Sequence, residues 1–279
     1  MIDRETRPMS VEEETRATLQ RDRPFGALAP NSAQLFLIGL ARRTFLHRGK
    51  FRHLMTRLIT AIKAPIDVTR YDCNYRIMGK NNLIEYGLLL HPDYNRTEIE
   101  FLIAGLGDGA ALDIGSNMGL YSLPLARSAM RVVAIDANKS MADRLRFNAH
   151  ASGLDNLDIM HIAVSDKPGK ATLHVHKDDL AIVNIQEDPT GVVEVDTLEN
   201  IITGLGITKI DVLKIDIEGY EDKALAPYLN SVSDDLSPDR IVIERLGPDD
   251  YPECHKAFVK LGYEAVGRTR SNSLFQRKF

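Results

Sequence analysis

The stretch ALDIGSNMGLYSLPLAR, residues 111–127, decides how this chain folds. A short apolar run ends beside Asp113, glycines follow at Gly115 and Gly119, and an amphipathic segment then begins. Glycine lets a backbone turn tightly and approach a ligand closely. A tight turn without a ligand would need neither the acid nor Asn117. The stretch therefore predicts a strand, a ligand-binding turn and a helix.

Short apolar segments alternate with helical segments from Thr97 onward, which is the pattern of a parallel sheet. The predicted strands are AALDI, RVVAI, NLDIMHIAV, IDVLKID, DRIVIE, YEAVG and NSLFQRK. Asn138 and Gly153 are typical of the start and end of the helix after the second strand. Turn residues between Ser165 and Thr197 predict an inserted, hairpin-like excursion. The expected class is α/β, with ligands at the carboxyl ends of the strands.

Composition narrows the possible partners and compartments. A net charge of −4 over 279 residues gives no general attraction to nucleic acid, so no nucleic-acid partner is predicted. Cys73 and Cys254 lie far apart, which argues against a disulfide framework or a structural zinc. The first residues contain no apolar signal segment, and the longest apolar run, LFLIGLA, is too short to cross a bilayer. We expect a soluble, cytoplasmic protein.

The N-terminal residues read differently from the rest. Residues before Pro30 are polar and predict a tail, and Gln34 to Lys63 read as helical, with apolar residues at three- and four-residue steps. Many of the other positions in this segment are basic, and none is acidic. They form either a solvated face or a surface for an anionic membrane or an acidic substrate. The predicted division is an extension at 1–80 and a catalytic domain at 81–279.

The glycine turn favours one class of cofactor. The dinucleotide fingerprint G-x-G-x-x-G is incomplete, and no G-K-[ST] follows, which excludes a P-loop. Asp136, at the tip of the second strand, is placed to accept both hydroxyls of a ribose. Asp113 favours a positively charged tail. S-adenosyl-L-methionine fits these features, and NAD fits them only in part.

Several blocks together resemble the FkbM-type family of S-adenosylmethionine-dependent methyltransferases. They are ALDIGSNMGLYSL, VVAIDAN, FNAHASGLDNLDIMHIAVSDKPGKATL, VEVDTLENII and IDVLKIDIEGYEDKAL, in order from about Leu83 to Leu246. The resemblance implies a Rossmann-like class I methyltransferase fold, with seven mostly parallel strands and a reversed last strand. It also implies methyl transfer to a hydroxyl oxygen of a sugar, glycan or polyketide-like metabolite. The family commonly has glutamate and proline where this chain has Asp136 and Ala137.

The predicted site combines a cofactor set and a catalytic set. The cofactor residues are Asp113, Gly115, Ser116, Asn117, Gly119, Asp136, Ala137, Ala163, Val164 and Asp216. The catalytic residues are Asp216, Glu218 and Glu244, with a carboxylate that receives the acceptor's proton. No resident metal is predicted, although Asp216 with Glu244 could hold a divalent cation that binds the acceptor.

Two other functions stay open at this point. One is a nicotinamide-dependent Rossmann oxidoreductase, which the incomplete fingerprint disfavours. The other is a non-catalytic protein that keeps the fold to bind the cofactor. The expected partner is a small-molecule or glycan acceptor, with a peripheral membrane contact through the basic helix as a further possibility. The sequence gives no oligomeric state.

Overall fold

Seven strands form the central sheet, in the order β12-β13-β11-β10-β3-β4-β5. Their bounds are Ala110–Ile114 (β3), Arg131–Asp136 (β4), Leu157–His161 (β5), Ile210–Ile215 (β10), Arg240–Glu244 (β11), Tyr263–Arg268 (β12) and Asn272–Arg277 (β13). Neighbours from β11 through β10, β3 and β4 to β5 are parallel, whereas β13 runs antiparallel to β11 and β12. The predicted fold class, including the reversed last strand, is confirmed. This computed structural model describes residues 23–79, 82–175, 183–245 and 250–278.

The order of the strands reverses between β3 and β10, and both strands are buried along their whole length. Successive residues of a strand face opposite sides of a sheet. Accordingly, Leu112 and Ile114 belong to one apolar cluster, whereas Ala111 belongs to a second. Helices therefore cover both faces, and the open crevice lies at the carboxyl ends of β3 and β10.

Nine α-helices surround the sheet within the described residues. They are Ser32–Arg43 (α1), Gly49–Ile62 (α2), Leu83–Leu90 (α3), Arg96–Ile103 (α4), Ser122–Ala126 (α5), Lys139–Ala151 (α6), Leu198–Gly204 (α7), Glu221–Ser231 (α8) and Pro252–Lys260 (α9). Asn138 caps α6 by accepting a hydrogen bond from the amide of Ser140, and Gly153 follows the helix at φ +66°, as predicted. In the part of the chain that the structure describes, every helix is too short or too polar to span a membrane.

The predicted third strand divides between two sheets. Its first part is β5, and its second part, Ala163–Val164 (β6), joins a four-stranded sheet with the order β6-β9-β7-β8. The other three strands are Gly169–Val175 (β7), Val183–Glu187 (β8) and Val193–Asp196 (β9). The predicted excursion is thus a small sheet of its own. Residues 176–182 of that excursion lie outside the described residues.

The N-terminal region contains more than the predicted helices. The single predicted helical stretch is two helices, separated by a short 3₁₀ turn at Phe45–His47. A β-hairpin then follows, with Ile66–Arg70 (β1) paired to Cys73–Ile77 (β2). This hairpin was not predicted from the sequence, and its side chains Tyr75 and Ile77 pack into the core of the sheet. The predicted tail up to residue 22 lies outside the described residues.

Candidate functional site

A cavity of about 300 Å³ opens at the carboxyl edge of the central sheet. Its walls come from the chain just after β3, β4, β10 and β11, and from three more distant segments. The lining residues are Leu83, Ile84, Tyr94, Asn95, Gly115, Ser116, Asn117, Leu120, Tyr121, Asp136, Ala137, Lys214, Asp216, Ile217, Glu218, Glu244, Ser271 and Asn272. This is the place at which α/β sheets of this kind bind their ligands.

The glycine turn after β3 forms the floor of the cavity. The amides of Gly115 and Ser116 both donate to the carbonyl of Ile135, at 2.9 and 3.0 Å. Gly115 has φ +76°, and a Cβ built there would lie 1.8 Å from the carbonyl oxygen of Asp216. Glycine is therefore required because the turn touches the end of β10. The hydroxyl of Ser116 is buried at this floor and has no hydrogen-bond partner among the described residues.

Asp136 is held rigidly at the rim of the same turn. One carboxylate oxygen accepts from the amide of Asn117 and the other from the amide of Asn138, each at 2.7 Å. Burial raises the pKa of Asp136 to about 6, against the opposing effect of those two amides. Each oxygen keeps a further acceptor position, so the side chain can still receive two hydroxyl groups from a ligand.

Lys214 is a buried cation between two carboxylates. Its ammonium lies 3.3 Å from Asp216 and 3.8 Å from Asp113, and it donates to the carbonyl of Gly115 at 3.1 Å. Burial alone disfavours the charged ammonium, but Asp216 and Asp113 outweigh it and raise the pKa of Lys214. The ammonium also lies 5.3 Å from the ring centroid of Tyr121. Lys214 fixes the end of β10 against the glycine turn.

Three carboxylates gather where β10 and β11 end. Oxygens of Asp216, Glu218 and Glu244 lie within 4.8 Å of one another, a spacing that would also suit a divalent cation. Burial and then the neighbouring Asp216 raise the pKa of Glu244 to about 9. A carboxyl group with a raised pKa beside other carboxyl groups is a common arrangement for acid and base work.

A tight loop presents this cluster. Glu218 has φ +55° and Gly219 φ +96°, and the buried Glu221 accepts from the amides of Ile217 and Gly219, both at 2.9 Å. Glu221 thus shapes the loop that carries Glu218. These two hydrogen bonds give Glu221 a second role, in addition to the favourable effect of an acid in the first turn of a helix.

Two asparagines add polar groups to the cavity and were not anticipated. Asn95 donates to the hydroxyl of Tyr121 at 2.7 Å, and Asn272 donates to the buried Glu98 at 3.1 Å. Both asparagines line the cavity. Their positions, 95 and 272, are brought together only by the fold. Asn95 has a positive φ of 53°. Asparagine tolerates this conformation, but the residue type alone does not predict it.

The structure divides the predicted residues into two groups. Gly115, Ser116, Asn117, Asp136, Ala137, Asp216, Glu218 and Glu244 line the cavity. Asp113 does not line the cavity: it is fully buried and accepts a hydrogen bond from Ser122 at 2.5 Å. Its contact with the cofactor stays a prediction. Burial raises the pKa of Asp113. Its link to the site is the ion pair with Lys214, at 3.8 Å.

Three further predicted cofactor residues lie away from the cavity walls. A Cβ at Gly119 would meet Leu145 at 2.4 Å, so this glycine permits helix packing. Ala163 and Val164 are buried in the second sheet, because the chain leaves the central sheet after His161. They are not among the residues that line the cavity, and their contact with the cofactor stays a prediction.

Comparison with known proteins identifies one family. A family model described as "Methyltransferase FkbM domain" matches residues 113–265, more than half of the chain. The match includes the glycine turn, Asp136, and the loop with Asp216 and Glu218.

Curated relatives match over shorter stretches. A 23S rRNA (uracil(1939)-C(5))-methyltransferase RlmD from Alteromonas naphthalenivorans is 27% identical over 119 residues, which cover 43% of this chain and 24% of that protein. The enzyme of the same name from Idiomarina loihiensis is 41% identical over 59 residues, covering 19% of this chain and 13% of that protein. The chain thus spans about a quarter or less of the length of these relatives.

Solved structures of methyltransferases also match, at low identity and with TM-scores below 0.5. A SAM-dependent methyltransferase from Agrobacterium tumefaciens is 13% identical with a TM-score of 0.45, covering 76% of this chain and 70% of that one. An rRNA methylase from Streptococcus thermophilus is 11% identical with a TM-score of 0.41, covering 68% and 98%.

These matches contradict one prediction from composition. No nucleic-acid partner was predicted, but the curated relatives are named as methyltransferases of 23S rRNA. The prediction was wrong because it rested on the net charge of the whole chain. A charge of −4 says nothing about any one surface, and Ser32 to Lys63 carries seven basic residues and no acid.

Proposed function

Because this chain belongs to the FkbM methyltransferase family, we propose that it transfers a methyl group from S-adenosylmethionine to a hydroxyl oxygen. The observation that carries the proposal is one cavity with two chemical ends. Asp136 stands at one end with both oxygens oriented, and Asp216, Glu218 and Glu244 stand at the other.

The residues at the glycine turn fit such a cofactor. Asp136 would hold the ribose hydroxyls, and the unpartnered hydroxyl of Ser116 offers a hydrogen bond to the polar tail. Leu83 and Ile84 supply apolar surface on the same cavity for a nucleobase. When bound, the cofactor supplies a methyl group on a positively charged sulfur. The carboxylates of this cavity favour that charge.

The carboxylate cluster would act on the acceptor. Asp216 orients the acceptor hydroxyl and takes its proton as the new oxygen–carbon bond forms and the carbon–sulfur bond to the methyl group breaks. Lys214 holds Asp216 in place through its 3.3 Å ion pair. The remaining contribution is alignment of the reacting groups in a confined cavity.

An oxygen acceptor agrees with the groups that the cavity offers. Carbon methylation of a pyrimidine needs a nucleophile that adds to the ring, for which a thiolate is well suited. Both cysteines, Cys73 and Cys254, are fully buried, and burial raises the pKa of each thiol. Neither is among the residues that line the described cavity. Sugar, glycan and polyketide-like hydroxyls all suit the site, and so does a ribose hydroxyl of RNA.

The proposal is tested with methyl-labelled S-adenosylmethionine and a cell extract. The extract is separated into small metabolites, glycans with lipid-linked glycans, and RNA. We expect label in one fraction, at a hydroxyl oxygen. Label on carbon or nitrogen would contradict the oxygen acceptor, and no label in any fraction would favour a non-catalytic protein.

The same assay tests the role of Asp216. Asp216→Asn keeps the size of the side chain but removes its charge and basicity, so turnover falls about 10²–10⁴-fold while S-adenosylmethionine still binds. The control is Asp235→Asn, which changes an exposed acid that does not line the cavity. This variant should keep full turnover. If magnesium restores the Asp216→Asn variant, the cluster holds a cation instead of acting as a direct base. Unchanged turnover would remove Asp216 from the mechanism.

A further inference from the structure

Helix α2 exposes a continuous row of large apolar side chains. Phe51, Leu54, Leu58 and Ile62 follow one another at three- and four-residue steps, which places them on one face of the helix. Their exposed fractions are 49, 53, 47 and 44%. We call these four residues the apolar stripe. Met55 and the residues near it fill the neighbouring face, which packs into the protein, so the stripe is additional to the face that the fold needs.

The apolar surface extends beyond α2. Phe45, in the 3₁₀ turn before the helix, is exposed and packs edge-on against Phe51 with ring centroids 5.2 Å apart. Isolated exposed apolar residues are ordinary, but adjoining ones mark a surface that contacts something else.

Basic side chains flank the apolar stripe. Lys50 and Arg57 are exposed and lie four residues before and three residues after Leu54, so both neighbour it on the helix surface. Arg43, at the end of α1, is exposed as well. Ser32 to Lys63 holds seven basic residues and no acid, in a chain whose net charge is −4. This segment is therefore more basic than the chain as a whole.

We propose that α2, with Phe45, lies in the interface of an anionic lipid bilayer. An apolar face flanked by Lys and Arg is the composition that buries into the boundary between headgroups and acyl chains. Anionic headgroups attract each nearby cation by about 1 kcal/mol. This contact is separate from the methyl-transfer site and does not depend on it.

Two other occupants fit this surface less well. RNA would satisfy the cations through its phosphates but would leave the apolar stripe without a partner. A second copy of the chain would bring two copies of this basic segment together, which is unfavourable. A bilayer satisfies both the apolar stripe and the charge.

Vesicle co-sedimentation of the full chain tests the proposal. We compare phosphatidylcholine vesicles with vesicles containing about 30% phosphatidylserine, at about 0.1 M and about 0.5 M salt. The protein should bind the anionic vesicles at low salt and lose most of that binding at high salt. Leu54→Gln with Leu58→Gln, and separately Lys50→Gln with Arg57→Gln, should each weaken binding about tenfold or more.

Helix α9 provides the matched control. It too carries exposed basic and apolar side chains, so Lys256→Gln, Val259→Gln and Lys260→Gln make the same kinds of change elsewhere. This triple variant should bind vesicles like the parent. Thermal melts and S-adenosylmethionine titration show whether each variant is folded.

A fluorescent reporter locates the contact. The chain contains no tryptophan, so Leu54→Trp gives an emission signal from the apolar stripe alone, and Val259→Trp gives one from α9. Anionic vesicles should shift the first emission to shorter wavelength and leave the second unchanged. The proposal is overturned if the parent protein does not bind anionic vesicles, or if the stripe variants bind them as well as the parent does. It is also overturned if the stripe variants lose RNA binding or self-association instead of vesicle binding.

Discussion

Gly115 shows how one missing side chain holds the site together. Its positive φ alone costs a non-glycine residue about 1–3 kcal/mol, and a Cβ there would also overlap the carbonyl of Asp216. Gly115→Ala should therefore lower the melting temperature and weaken cofactor binding, because the ends of β3 and β10 are pushed apart.

Gly153→Ala separates these two effects. Gly153 has φ +66°, but a Cβ there meets nothing within 4 Å. This control should show a loss of stability with normal S-adenosylmethionine affinity. If Gly115→Ala binds S-adenosylmethionine as well as Gly153→Ala does, the close approach to Asp216 has no part in the site.

Asp136 makes cofactor binding depend on pH. Its pKa of about 6 means that the side chain is charged above pH 6 and neutral below it. The charged form accepts two hydroxyl groups, so S-adenosylmethionine affinity should be constant above about pH 7 and fall by up to about tenfold per pH unit below 6. Calorimetric titration from pH 5 to 8 measures this. Asp136→Asn should bind weakly without that slope, and a parent protein with no slope would contradict the role of Asp136.

Sequence reasoning located single residues well where one turn or one strand end carries them. Gly115, Asp136 and Asp216 each end or follow a strand, so their place at one edge follows from the strand pattern. Asp113 is one residue before the strand end and points into the interior, where it meets Lys214. A difference of one residue along a strand reverses the facing of a side chain, and the pattern did not resolve it.

Among the secondary-structure elements, hairpin β1–β2 depends on a buried ion pair. Asp67 and Arg76 are both nearly fully buried and lie 2.7 Å apart. Asp67 also accepts from the amides of Gly26 and Leu28. This pair therefore joins the hairpin to the chain that precedes α1.

Asp67→Ala should lower the free energy of unfolding by about 3–5 kcal/mol, because Arg76 would remain buried without its carboxylate. Chemical denaturation measures the change. Glu253→Ala, which breaks the exposed pair with Lys256, should cost less than about 1 kcal/mol. If both variants lose the same free energy of unfolding, the buried pair stabilises the protein no more than the exposed pair does.

The strands of the central sheet were predictable because each is a short apolar run between turn residues. Hairpin β1–β2 was not, because DVTRYDCNYR mixes charged and polar residues with few apolar ones. For helix α2, the sequence predicted the helix but not which apolar side chains are buried. Its apolar residues repeat at helical spacing, but that spacing cannot tell the buried Met55 and Ile59 from the exposed Leu54 and Leu58.

At the scale of the whole molecule, the switch point between β3 and β10 was the most predictable feature of the site. The two cavity-lining asparagines, Asn95 and Asn272, were the least predictable. Asn272 lies beside Glu98 across 174 positions of sequence, and no local pattern joins them. The division into an extension at 1–80 and a domain at 81–279 stays a prediction. Hairpin β1–β2 falls within that extension, yet it packs on the central core.

Calorimetric titration of S-adenosylmethionine into the parent protein and Asp136→Ala tests the central claim most directly, with NADH as the competing ligand and Asp235→Ala as the control. We predict one S-adenosylmethionine per chain, no NADH binding, and an affinity about 10–100-fold weaker in Asp136→Ala, since two hydroxyl bonds to a charged acceptor are lost. Asp235→Ala should match the parent. NADH binding in place of S-adenosylmethionine, or equal S-adenosylmethionine affinity in a folded Asp136→Ala, would contradict the account.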